Sequence, residues 1–268
     1  MLARCLLYLL APLWLAVAGG AHAMTILIGA SPQPIELPTY IPFGDLTPEL
    51  VNGINDAISN DQPLPTPRYQ QVYDKNSFPS SPLSVDKIRF FEDGSQPINA
   101  APLGGNSCSD ATPPCGTVTV RIGTTSLPVN GLDPDAADFD ANFDVASAVF
   151  IQDVLLSSLT AAGVLEFAGS PFVYDPEDGN LLIEVQFGDF ATVNDLTQGM
   201  NAVFYEATGD AESPVFSLVS NYDGLNNASF GLVTEFDVTI VPEPATGLLL
   251  TAGLCVLAWV RRSRASSR

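Results

Sequence analysis

Asp178-Gly179-Asn180-Leu181-Leu182-Ile183-Glu184-Val185-Gln186-Phe187 decides the fold class. The Asp-Gly-Asn triplet supplies the residues of a tight turn. After it, Ile183, Val185 and Phe187 alternate with Glu184 and Gln186, the period of two that sends successive side chains to opposite faces of a strand. The same pattern recurs on both sides. Thr117 to Ile122 sets Val118, Val120 and Ile122 against Thr117, Thr119 and Arg121, and Val85 to Phe91 sets Ile88 and Phe90 against Lys87 and Arg89 before a turn at Asp93-Gly94. Phe230 to Ile240 sets Phe236, Val238 and Ile240 against Glu235, Asp237 and Thr239. Weaker versions run over 70–73, 148–156, 164–167, 202–206 and 216–220. Roughly nine strands, each with one apolar face to bury, predict an all-β, two-sheet sandwich over residues 69–240.

Residues 24–68 read differently. A short apolar segment, Ile26-Leu27-Ile28, gives way to Pro32, Pro34, Pro38, Pro42, Pro48, Pro63, Pro65 and Pro67, more prolines than helices or central strands tolerate. Within this proline-rich segment only 48–59 permits a short helix, with Pro48 at a first-turn position and Leu50, Val51, Ile54 and Ile58 at helical spacing.

The two ends carry the functional information. Arg4, an apolar run from Cys5 to Val17 and the small residues ending in Ala21-His22-Ala23 form a secretory signal peptide over 1–23, cut by signal peptidase so that the mature chain begins at Met24. At the other end, over 241–268, three features follow without interruption: Val241-Pro242-Glu243-Pro244, an apolar stretch from Ala245 to Val260, and the basic residues Arg261, Arg262, Arg264 and Arg268. The prolines hold the neighbourhood of Glu243 extended and open to a processing enzyme. Sixteen apolar residues make a helix of about 24 Å, a marginal single membrane span. The arginines act as a cytoplasmic stop by the positive-inside rule.

This tail resembles the PEP-CTERM sorting signal, over about the last 27 residues. The resemblance implies recognition by an exosortase, a multi-pass membrane enzyme thought to cleave near Pro242, Glu243 and Pro244, with anchoring in the inner membrane before processing and delivery to the cell surface afterwards. An ordinary tail anchor with a proline-rich stalk is the alternative. The ectodomain carries a second resemblance. Tyr69-Gln70-Gln71-Val72-Tyr73, Ile88-Arg89-Phe90, Val120 to Thr125, and Pro171 to Pro176 leading to Gly179 to Val185 look like recurring blocks of a β-sandwich common among PEP-CTERM proteins. That family implies a jelly-roll-like sandwich and assigns no catalytic residues.

Composition excludes several function classes. Residues 24–243 hold all thirty acidic residues and only Arg68, Lys75, Lys87, Arg89 and Arg121, a net charge of −25 that repels nucleic acid and anionic lipid. His22 leaves with the signal peptide, so no Ser-His-Asp or Cys-His site can form, and no phosphate-binding loop is present. We therefore expect no enzyme, with a carboxylate-pair glycan hydrolase as the remaining catalytic alternative. Cys5 and Cys255 belong to the removable ends, which leaves Cys108 and Cys115 for one local disulfide in an oxidising compartment.

Two binding readings stand beside the structural one. Asp133, Asp135, Asp138, Asp140 and Asp144 crowd into twelve residues and begin like an EF-hand, then depart from it at Ala137, Asp138 and Asp144. They are calcium candidates, set against a solvated acidic loop; no other cofactor is implied. Tyr69, Tyr73, Tyr174, Tyr205 and Tyr222 are the rings available to a sugar, with no tryptophan between the removable ends. The expectation is an exported structural or adhesive protein, with exopolysaccharide as a candidate matrix partner and a carbohydrate- or calcium-binding module as the alternative.

Overall fold

Period-two patterning is realised as two antiparallel sheets whose apolar faces meet. The computed structural model describes residues 22–29, 39–40, 68–92, 117–133, 136–144, 147–155, 158–161, 163–188, 204–207, 215–220, 226–229 and 231–242. In chain order the strands are β1 (Ala23–Ile28), β2 (Thr39–Tyr40), β3 (Arg68–Tyr73), β4 (Leu83–Phe91), β5 (Thr117–Thr125), β6 (Ala148–Leu155) and β7 (Thr160–Ala161). They continue as β8 (Val164–Tyr174), β9 (Asn180–Gly188), β10 (Phe204–Tyr205), β11 (Val215–Ser220), β12 (Asn226–Ser229) and β13 (Thr234–Ile240). The first sheet has the order β1-β13-β4-β8-β7, the second β12-β11-β3-β9-β5-β6, and β2 pairs with β10 as a two-residue ladder. Two compact units result, Ala23–Thr239 and the two chain ends, Met1–His22 with Ile240–Arg268.

The core lies between the sheets. Val85, Ile88, Phe90, Phe167, Phe236 and Val238 of the first sheet meet Tyr69, Tyr73, Val120, Ile122, Ile183 and Val185 of the second, all essentially inaccessible to solvent. Edge-to-face ring pairs such as Tyr73 with Phe236, 4.9 Å between centroids, fit the preference of aromatic quadrupoles for that geometry. One polar knot crosses this core. Gln71 Nε2 donates to Tyr73 Oη at 2.7 Å, to Leu232 O at 3.0 Å and to Thr234 Oγ1 at 2.9 Å, while its Oε1 accepts from Leu232 N and Tyr69 Oη. A buried amide is tolerable because each of its hydrogen-bonding groups is matched. The low polarity around Tyr73 pushes its hydroxyl pKa well up, outweighing its bonds to Thr234 and Gln71.

On one side the two sheets close on each other. β6 approaches β8 so tightly that a Cβ at Gly169 would stand 2.1 Å from the Phe150 carbonyl oxygen, so only glycine fits. The β4–β8 register shifts between Val85 and Lys87, and Pro171 falls in the extra length of β8, where a missing donor breaks no ladder bond. Gly179 ends the 3-10 turn Pro176–Asp178 at φ 129° and leads into β9, with its carbonyl accepting from Tyr174 Oη at 2.8 Å.

Several expectations need correction. β1 shows that the edge strand of the first sheet comes from the stretch set apart as a proline-rich N-terminal segment, because Ile26 and Ile28 pack on the core. β8 runs well past Phe167, and the stretch expected as one strand from Phe230 is β13 alone, starting at Thr234 and preceded by a separate β12. The candidate helix at 48–59, the signal peptide and the C-terminal apolar stretch lie outside the described residues.

Candidate sorting site

β13 delivers the chain to its last segment. Its alternation sends Phe236 and Val238 into the core and Glu235, Asp237 and Thr239 to the outer face of the first sheet. Arg89 on β4 grips that outer face: its Nη1 donates to Glu235 Oε1, its Nη2 to Asp237 Oδ2 and its Nε to Glu166 Oε2, each at 2.6 Å. Hydrogen bonds from Arg89 hold the carboxyls of Glu166 and Asp237 below the usual range. Thr239 Oγ1 donates to Asp86 Oδ2 at 2.9 Å. β13 lies between β1 and β4 in the sheet, and its pairing with β1 runs as far as Thr239. Val241 is then half-buried and Pro242 exposed. A proline there cannot donate to a continued ladder, so the strand stops where the processing motif begins.

The expected signal cleavage site lies at the same end of the same ladder. β1 and β13 pair without a break from Ala23 opposite Thr239 to Ile28 opposite Thr234. Ala23, the last residue of the predicted signal cleavage site, therefore faces the residue three positions before Pro242. Ala21, Glu243, Pro244, Arg261, Arg262 and Arg264 lie outside the described residues, as do Cys108 and Cys115.

As far as its described residues go, the acidic insert after β5 is neither a plain solvated loop nor a cluster of converging carboxylates. Residues 127–133 and 136–143 fold over the outer face of the second sheet, where Leu132, Phe139 and Phe143 cover Val72 and Leu182, with Leu127 and Val129 alongside. Asp140, a calcium candidate, is instead held by Arg68 Nη2 at 2.7 Å and Arg121 Nη1 at 2.6 Å, and those two bonds, Arg121's first, hold its carboxyl below the usual range. Beneath it Glu184 is wholly buried and accepts from Arg68 at 2.6 Å, Arg121 at 3.2 Å, Gln70 at 2.7 Å and Gln186. Phe139 and Phe143 stack under Arg68 and Arg121, 5.2 and 5.4 Å from ring centroid to guanidinium carbon. Asp144 accepts from Ser126 Oγ at 2.8 Å, and the Asp133 backbone is tied to Asn142. Asp135 and the Asp138 side chain are not among the described residues. No group of three or more His, Cys, Asp or Glu side chains among the described residues is placed to hold a metal ion.

Alternation alone put Glu184 and Arg121 on a solvated outer face. The available signal against this was the second apolar set on the same face, Val72 and Leu182, which a solvated strand would not carry. Of the tyrosines considered for sugar stacking, Tyr69, Tyr73 and Tyr174 are buried, Tyr205 is half-buried and Tyr222 is not described.

Residues 241–265 match the PEP-CTERM protein-sorting motif. The chain carries this sorting signal directly after β13. The PEP-CTERM tail implies an exported protein with an exosortase as its processing partner. No curated protein and no solved structure matches the chain. Among the described residues no helix is long and apolar enough to cross a membrane; the expected span, 245–260, lies outside them.

Proposed function

We propose that this protein is a structural or adhesive component of the cell surface or extracellular matrix, non-catalytic, anchored in the inner membrane by its tail until an exosortase cuts near Pro242-Glu243-Pro244. The observation that carries this reading is the sorting motif beginning one residue beyond the final core strand. A signal peptide over 1–23, a membrane helix over 245–260 and a disulfide between Cys108 and Cys115 complete it. The strand order supports a jelly-roll-like wrapping. If the eight long strands other than β11 and β12 are counted along the chain, one sheet holds the first, eighth, third and sixth and the other the second, seventh, fourth and fifth. A matrix setting rich in exopolysaccharide suits a released part, residues 24–243, whose net charge of −25 keeps it soluble.

The test replaces Pro242 and Glu243 by alanine in a host that has an exosortase. A membrane-retained, uncut form is the expected product; release equal to the wild type would overturn the assignment. Glycan binding and turnover of surface polysaccharide by the released domain are expected to be absent, and turnover abolished by one carboxylate substitution would favour a hydrolase instead.

A further inference from the structure

A sheet edge exposes unpaired backbone donors and acceptors, and folded proteins normally blunt such edges with charges, prolines, bulges, short length or a cover. Three of the four edges of the two sheets are blunted. β7 is only two residues long, and the edge of β8 behind it lies against β6 at Gly169. β6 is irregular twice in its pairing with β5, and it carries Asp153 at φ 50°, whose backbone N and carboxylate are both engaged by Thr119. β12 has four residues, Asn-Asn-Ala-Ser. Among the described residues β1 has none of these devices: Ala-Met-Thr-Ile-Leu-Ile contains no charged side chain and no proline, its register is unbroken, and Met24 and Leu27 are 39 % and 51 % exposed.

The geometry points to β1 as a strand-addition site whose occupant is β1 of a second copy of this chain. Charge selects that occupant. With −25 over residues 24–243, two copies meeting through most other surfaces bring acid against acid, whereas the β1 edge is a run of uncharged residues. Geometry agrees. Antiparallel pairing about Ile26 sets Met24 opposite Ile28 and Thr25 opposite Leu27 of the second copy, so inward residues stay inward and outward residues outward. The contact is isologous, closes after two copies and joins two five-stranded sheets into one of ten strands. Asp86, Lys87 and Asp237 line a hollow beside β1, so the residual repulsion is of the kind that salt screens. This inference concerns the folded domain and goes beyond the sorting reading; it stands or falls whether or not the tail is cut by an exosortase.

The 24–240 fragment is suited to the test, since Ala23–Thr239 form one compact unit holding both sheets and the core. Sedimentation equilibrium at about 0.5 mM protein, from roughly 0.05 to 0.5 M NaCl, follows a contact as small as one strand pair. A shift from one-copy to two-copy mass as salt rises is expected. Leu27→Glu, on an exposed side chain that faces Thr25 of the other copy and stands opposite Glu235 of its own β13, is expected to weaken association at least about tenfold, because a two-fold interface repeats the change. Thr25→Cys with Leu27→Cys, in a background with Cys108 and Cys115 changed to serine, should give an oxidised covalent dimer; this decides the matter if Leu27→Glu fails to fold. One-copy mass at every salt with no covalent dimer, association unaffected by Leu27→Glu, or growth beyond two copies would each overturn the proposal.

Discussion

The outer faces of the two sheets are built from the same ingredients and put to opposite ends. On the first sheet, Arg89 holds Glu166, Glu235 and Asp237 in the open, with those carboxylate side chains 26 to 35 % exposed. On the second, Arg68 and Arg121 hold Glu184 at zero exposure under an apolar cover. Exposed pairs exchange water for protein at little net gain, while a buried carboxylate depends on its partners for all the solvation it has lost. The first face is a solvated mosaic and the second is a closed interface within the domain. The acidic insert belongs to the second, and its Asp140 completes the arginine network.

Four measurements break or sharpen this contrast. Phe139→Ala opens the cover and removes the ring under Arg68; it is expected to destabilise the domain by about 4 kcal/mol in urea unfolding. Glu184→Ala leaves two guanidinium groups facing a vacated site and is expected to destabilise by about 3 kcal/mol, little changed by salt. Arg89→Met, which breaks three ion pairs at once on the open face, is expected to destabilise by only about 1 kcal/mol, most of it lost in high salt. If Arg89→Met matched Glu184→Ala, the distinction between the faces would fail.

The smallest effect is in acid. Asp140, Glu166 and Asp237 have carboxyls held below their unfolded range by hydrogen bonds from arginine. A depressed folded pKa means that their stabilisation is complete above the unfolded value of about 4 and is lost as pH falls through the lower folded values. The urea midpoint is therefore expected to drop below about pH 4, and to drop less in Arg89→Met, where Asp237 has lost its arginine, Glu166 keeps only Lys87 at 3.2 Å, and Asp140 has kept both its arginines.

Strands whose two faces differ are legible in the amino-acid pattern alone. β4, β5, β9 and β13 fall within a few residues of their expected places because one face meets the core and the other is polar. β3 gives only a weak pattern, for a physical reason. Tyr69, Gln71 and Tyr73 face the core while Gln70 and Val72 face the insert, so five of its six residues are buried and no alternation survives. The Glu184 site was illegible because its parts come from positions 68, 70, 121, 140 and 184, brought together only by the sheet order β3-β9-β5 and the crossing of the insert.

The linear chain alone determined the sorting motif, its order of proline pair, apolar stretch and arginines, and the acidic balance of the exported part, because an address read by an enzyme and a net charge are properties of contiguous residues and of counts. Only the tertiary structure decided which acidic residues are spent on arginines, which strand face is covered, and which sheet edge is left bare. Those outcomes depend on which distant strands become neighbours, and the free energy of a buried charge or an unpaired backbone group exists only once they do.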